Sequence, residues 1–300
     1  MKYFCIFNRY LSLQVLILIK QKIIFFLSRC FGHRIYGPGI FFLFLFAFTS
    51  PAQENFILEK NISVRADFFS VDNLGNIYAV LGSQIQKYNP DGEPVFSYSD
   101  KIRGSITSID VSNPMKILLF YKNNLQVVFL DNTLSQQGEP VELDKMGLQQ
   151  ASLVCSSINN GLWVYNQGNF QLVRLDKDLK IIAETGNILQ QAGGELNPDK
   201  IIEKNNSIFL NDTTRGILVF DIFGTFQKTI PIKGCENIQA SEDFLFFESR
   251  KKLFSFSLKT REQNELNLPL NGFQQVFTEG KNLFILTKNE LKIYSVKRDY

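Results

Sequence analysis

Six times along this chain a short polar turn gives way to a run of β-branched and aromatic residues, the signature of a strand entered from a tight turn. The clearest copy is Asp72-Asn73-Leu74-Gly75-Asn76 leading into Ile77-Tyr78-Ala79-Val80. Marking each run by its first apolar residue places the copies at Ile77, Ile117, Leu162, Ile208, Phe244 and Leu283, with spacings of 40, 45, 46, 36 and 39 residues. A second alternating run follows each marker, at 84–88, 124–130, 170–175, 216–220, 252–258 and 290–296. In five copies a more polar strand comes next, at 93–99, 139–143, 180–185, 225–232 and 265–270. A period of roughly 40–45 residues is that of a four-stranded propeller blade.

The sixth copy stops at Tyr300 with no room for its outer strand, while residues 55–64 precede the first copy and read like the outer strands of the others. The gap at one end matches the surplus at the other. The expected fold is therefore all-β, a six-bladed β-propeller closed by the N-terminal strand completing the last blade, which leaves only short protected edges. An open sandwich or a row of hairpins would show similar strand spacing but leaves both the gap and the surplus unexplained. The 29 Phe and 10 Tyr against a single Trp suit flat rings packed between neighbouring sheets, so these aromatics read as core.

Residues 1–52 differ in kind. They carry six Lys and Arg, the only His, and no Asp or Glu. Residues 39–49 have the length of a signal-peptide apolar segment and precede Ser50-Pro51-Ala52, a small-residue cleavage signature. The domain reading is a leader over 1–52, cleaved after Ala52, and one propeller over 53–300. The long stretch before the apolar segment has two explanations, an over-extended start or a membrane anchor at 11–27, where Lys20 and Lys22 interrupt the apolar run. Cys30 raises a lipoprotein alternative, against which Arg29 stands where a small residue is needed. Export to the periplasm, the cell envelope or the medium follows, with no transmembrane span in the mature chain. Loss of the leader turns a net charge of +3 into −3, and an acidic body without a basic stripe argues against nucleic acid as a partner.

With His33 in the leader, the mature chain has no histidine. That removes Ser-His-Asp and Cys-His nucleophiles, His-containing zinc sites and His general bases. Cys155 and Cys235 lie two blades apart, too far for a bridge, and read as small buried hydrophobes. Gly193-Gly194 lacks the Lys-Ser/Thr of a phosphate loop. The expectation is a non-enzymatic ring, monomeric, without cofactor, binding a protein or an envelope component. Its candidate rim is Tyr121, Tyr165, Phe247 and Arg250, with variable loops at 146–150, 186–198 and 211–215 as recognition elements. The alternative is a hydrolase or lyase using calcium in the channel, held by Asn166, Asn211, Asp212 and Glu248 at the ends of successive strands. Turn chemistry alone also places Asn and Asp there. Asn61, Asn205 and Asn211 head N-x-S/T sequons, which matter only in a eukaryotic secretory pathway.

The turn Asp72–Asn76 with Ile77-Tyr78-Ala79-Val80, followed by Gln84-Ile85-Gln86-Lys87-Tyr88-Asn89-Pro90-Asp91-Gly92-Glu93-Pro94-Val95, resembles the repeats of six-bladed propellers of the NHL and TolB-like kind. The segment 104–134 is similar to exported propellers of Bacteroidetes-type bacteria, and some propellers of lactonase type hold a calcium in the channel through Asp, Asn and Glu. The resemblance spans 55–300 and implies fold and lineage; propellers serve as scaffolds, receptors and enzymes alike. Two turns depart from the pattern, Ser112-Asn113-Pro114-Met115-Lys116 and Ile158-Asn159-Asn160-Gly161.

Overall fold

A computed structural model describes residues 55–297, which form 24 β-strands and one short helix, α1 (Leu189–Ala192), besides three single turns of 3-10 helix. The strands make six four-stranded antiparallel sheets. Blade 1 is β2 (Phe68–Val71), β3 (Ile77–Leu81), β4 (Gln84–Tyr88) and β5 (Pro94–Ser99). Blade 2 is β6 (Ser108–Asp110), β7 (Ile117–Tyr121), β8 (Gln126–Leu130) and β9 (Val141–Glu142). Blade 3 is β10 (Ala151–Ser157), β11 (Gly161–Asn166), β12 (Gln171–Leu175) and β13 (Ile181–Glu184). Blade 4 is β14 (Lys200–Lys204), β15 (Ser207–Asp212), β16 (Gly216–Asp221) and β17 (Phe226–Ile230). Blade 5 is β18 (Glu236–Ala240), β19 (Phe244–Ser249), β20 (Lys252–Ser257) and β21 (Gln263–Leu266). Blade 6 is β22 (Gln275–Glu279), β23 (Asn282–Leu286), β24 (Glu290–Lys297) and, as its outer strand, β1 (Asn55–Ser63). The leader and its cleavage point lie outside the described residues, and no helix among the described residues is long and apolar enough to cross a membrane.

The second and third strands of each blade are apolar because both of their faces are covered. With a side-chain period of two, β7 sends Ile117, Leu119 and Tyr121 toward blade 1 and Leu118 and Phe120 toward blade 3. The buried side chains fall into six clusters, one between each pair of successive blades, including one shared by blades 6 and 1. An open row of six blades has five such interfaces; six means a closed ring. The seam itself is an antiparallel ladder from Asn55↔Lys297 to Ser63↔Glu290, with one register shift between Leu58 and Lys60. Phe56 packs edge-to-face on Tyr294 at 6.5 Å between ring centroids, and the Val64 N–H continues the ladder to the Asn289 carbonyl.

First strands meet around the axis, and two glutamines tie them. Gln275 of β22 accepts from the Phe69 N–H (2.8 Å) and donates to the Phe69 carbonyl (3.1 Å), joining blade 6 to blade 1. Gln239 of β18 repeats the arrangement one interface back, donating to the Val276 carbonyl (2.6 Å) and accepting from the Thr278 N–H (2.9 Å). In each case a side-chain amide stands in for a peptide group, satisfying main-chain groups that would otherwise be buried unpaired.

Two corrections concern strands. The outer strand of blade 5 is Gln263–Leu266 rather than 265–270, and that of blade 2 shrinks to Val141–Glu142. The polar turn recurs, moreover, mainly between third and fourth strands. Asn89, Asp131, Asp176 and Asp221 each accept main-chain N–H groups two or four residues on, a self-capping turn of the Asx type.

Candidate functional site

Antiparallel order puts the turns between second and third strands, and the loops between blades, on one face of the ring (the loop face). The turns between first and second and between third and fourth strands lie on the opposite one (the turn face). Every residue singled out from the sequence as a site candidate falls on the loop face, at the end of a second strand or just beyond it.

There the structure commits them to holding blades together. Tyr121, Tyr165 and Phe247 are fully buried in the interfaces between blades, and of the expected rim only Arg250, in a turn with φ +50°, reaches solvent. The physical reason is that a second strand is covered on both faces up to its last residue. Burial and then the charge of Asp212 push the Tyr165 phenol up to about 12. Of the four oxygen-bearing residues, Asn166, Asp212 and Glu248 accept hydrogen bonds within the ring, whereas the buried Asn211 Oδ1 has no partner among the described residues. Asp212 accepts from the Asn197, Thr214 and Arg215 N–H groups and from the Thr214 hydroxyl. Burial alone raises its carboxyl, and these bonds override that and hold it below the usual range. Glu248 accepts from the Val276 N–H of blade 6 at 2.7 Å and is raised by burial. Asn211 donates to Asp199 (2.7 Å) and to the Cys235 carbonyl (2.9 Å). Asn166 accepts from the Gly168 N–H. A calcium ion takes about six to eight oxygens; both oxygens of Asp212 and one each of Glu248 and Asn166 already accept N–H groups, so calcium at these residues would have to displace those contacts, and among the described residues no cluster of three or more His, Cys, Asp and Glu could hold a metal. Asn211 is also fully buried, whereas Asn61 and Asn205 are exposed.

The expected recognition loops are likewise structural in part. The 186–198 loop folds α1 over the interface of blades 3 and 4, burying Ile188 and Leu196, and Leu148 of the 146–150 loop is buried between blades 2 and 3. Cys155 and Cys235 are both buried free thiols. Burial pushes Cys235 up to about 12 and holds Cys155 well above the usual thiol range.

The turn face presents an opening instead. A cleft of about 270 Å³ lies between blades 2 and 3, walled by Lys116, Phe129, Ser157, Ile158, Asn160 and Glu203, among others. Its two shoulders are the two turns that depart from the repeat. In blade 2, Lys116 donates to the Asn160 carbonyl (3.1 Å) and lies 4.1 Å over the Phe129 ring, and burial lowers its pKa. In blade 3, Asn159 and Asn160 both adopt left-handed backbone (φ +59° and +63°), which asparagine tolerates best after glycine. The floor is a saturated carboxylate: Glu203 of β14 accepts from Ser157 Oγ (2.6 Å), Trp163 Nε1 (2.7 Å) and the Ile158 N–H (2.9 Å). Asp110 is likewise filled, by the Ser112 and Ser156 N–H groups. Exposed on the same face are Leu74, Met115, Ile158, Phe223 and Phe244, spread over blades 1 to 5; the loop face exposes Leu81 and Ile102. None of the cleft residues was singled out from the sequence, although the irregular turns that form it were visible there.

No family profile and no curated protein matches this sequence. Solved structures do match in fold. The WD40 domain of Neurospora crassa Pan2 aligns with a TM-score of 0.57 at 8% identity, over 82% of this chain and 97% of that one. Virginiamycin B lyase from Staphylococcus aureus aligns at 0.56 and 11%, over 81% and 100%. BBS1N, solved in complex with ARL6DN, aligns at 0.53 and 11%, over 82% and 98%. At such identities the likeness is one of fold.

Proposed function

We propose that this chain is an exported, non-enzymatic propeller of the NHL/TolB-like kind that binds a protein of the cell envelope through its turn face, as a monomeric ring. The observation that carries the reading is the coincidence, on that one face, of five exposed large apolar side chains with the cleft between blades 2 and 3. Exposed apolar groups scattered singly mean little, but Met115 and Ile158 belong to the two turns that form the cleft, and apolar groups beside a cleft mark an interaction surface. Two further points support it. The described residues contain no histidine, and their two thiols are buried with raised pKa, so ready nucleophiles and general bases are scarce. A fold neighbour, BBS1N, is itself known in a complex with a protein. The charged leader with its apolar segment supports export.

The test is cross-linking and affinity capture from the native host with wild type, Phe223→Asp and Leu74→Asp on the turn face, and Ile102→Asp on the loop face. The wild type and Ile102→Asp should retain the same envelope protein, and the turn-face variants should lose it. Capture of nothing by the wild type, or loss confined to Ile102→Asp, refutes the reading.

A further inference from the structure

We propose that the cleft between blades 2 and 3 takes an acidic anchor side chain of a protein partner, a Glu or Asp whose carboxylate lands on Lys116 Nζ while an adjoining apolar residue lies on Met115 and Ile158. The inference rests on the protein-binding reading and specifies its chemistry.

The charge argument comes first. A lysine ammonium has three donors. Lys116 spends one on the Asn160 carbonyl and otherwise faces the Phe129 ring. Among the described residues no carboxylate pairs with it, although it is half-buried. A partly desolvated cation without a counter-charge gains strongly from an incoming carboxylate, since charge-assisted hydrogen bonds are about twice as strong as neutral ones. The two acids nearby cannot supply it. Glu203 and Asp110 each have both oxygens engaged by N–H or O–H donors from blade 3 or the adjoining turn. Their occupied lone pairs also leave little to attract a cationic ligand. Glu203 is moreover linked through the Ser157 hydroxyl to the Arg174 guanidinium (2.9 Å), so the cation left over at the cleft is Lys116.

Size argues for a side chain rather than a free metabolite. Small-molecule pockets run to about 300–1,000 Å³; at about 270 Å³ this one suits a single residue seated as an anchor, the arrangement that carries most of the energy in protein interfaces. The exposed Ile158 in its wall, and Met115 next to Lys116 in the chain, supply the apolar surround that excludes water from such an anchor.

Trp163 is the only tryptophan of the chain, and its indole N–H is bonded to the Glu203 wall, so its emission reports on the cleft. The full chain is titrated with N-acetyl-Glu-Leu-amide, with its Gln-Leu isostere and with free glutarate. The acidic dipeptide should shift Trp163 emission saturably, with the Gln isostere at least about ten-fold weaker. Lys116→Gln should erase that preference and Lys116→Arg should keep it, both with an unchanged far-ultraviolet spectrum and melt. Equal binding of the two peptides, preference surviving in Lys116→Gln, or no saturable response overturns the proposal. Glutarate binding as tightly as the dipeptide also overturns it, making the cleft a site for free anions. The two readings fail separately: a partner held equally by wild type and Lys116→Gln removes the cleft assignment alone, whereas no captured partner removes the protein-binding reading.

Discussion

Closure of the ring can be tested at a single residue. Gln275→Leu keeps the side-chain bulk at the blade 6–blade 1 seam but removes both amide hydrogen bonds to the Phe69 main chain, at 2.8 and 3.1 Å. Each unpaired buried polar group costs about 1–3 kcal/mol; both bonds are only partly buried, so about 2–3 kcal/mol is expected in total. For a domain of roughly 150–250 residues each kcal/mol moves the midpoint by about 2–4 °C, so the melt should fall by about 4–12 °C. The decisive comparison is with Gln239→Leu, which removes the same kind of clasp between blades 5 and 6. In a closed ring the two interfaces are equivalent and the two variants lose stability alike. In a chain that is open between blades 6 and 1, Gln275 has nothing across the seam to hold. Urea unfolding and thermal melts followed by circular dichroism, with Gln190→Leu in the exposed part of α1 as control, decide it. Gln275→Leu at the level of that control while Gln239→Leu shows its full loss would refute the closed ring.

Glu203→Ala strips the acceptor from a buried indole and from two further donors, and should cost about 3 kcal/mol together with a change in Trp163 emission in the folded protein; a variant as stable as wild type contradicts the cleft floor described above. Two carboxylates should behave oppositely with pH. Glu248 has its folded pKa raised by burial, so its contribution is fully present only below the unfolded value of about 4 and is lost as pH rises through the folded one; Glu248→Gln should gain on wild type at neutral pH and lose that advantage in acid. Asp212 has its folded pKa lowered, so its contribution is present at neutral pH and lost as pH falls through that value; the penalty of Asp212→Asn should shrink in acid. Urea midpoints across pH read both, and parallel curves for the two variants refute the assignment. With Cys5→Ser and Cys30→Ser as background, Cys155 and Cys235 should react with a thiol reagent only at the rate of unfolding, because both are buried with raised pKa; fast labelling in native buffer refutes their burial.

The ring was legible in this sequence because its middle strands have a simple job. Residues such as Ile117–Tyr121 and Ile217–Phe220 are buried on both faces, and a doubly covered strand must be apolar throughout, which writes itself into the sequence at blade period. The inner strands are harder to see. They carry Lys200, Glu203, Glu236 and Asn237 on segments as short as Ser108–Asp110, and an alternation such as that of Phe68–Val71 is lost in these. The clasps are invisible for another reason: Gln275 finds its partner 206 residues away in the chain, and nothing local distinguishes a clasping glutamine from a solvated one.

The expected rim failed on the same double burial that made the strands readable, since Tyr121, Tyr165 and Phe247 sit at strand ends where a one-sided sheet would expose them. The irregular turns form the walls of the cleft instead, and their chemistry sets them apart. A turn of the Asp72 type consumes its own polar groups: that carboxylate takes the Leu74 and Asn76 N–H groups, the Asn76 amide and the Tyr78 hydroxyl, leaving no charge free for a ligand. The turn at Ile158–Gly161 has no acid of its own, borrows Glu203 from the next blade to cap the Ile158 N–H, and lines the cleft beside blade 2. The turn ending at Lys116 likewise keeps a charge that its own residues do not neutralise. A departure from the repeat therefore marks the place where a turn stops satisfying its own polar groups, and on the turn face the two such departures stand side by side.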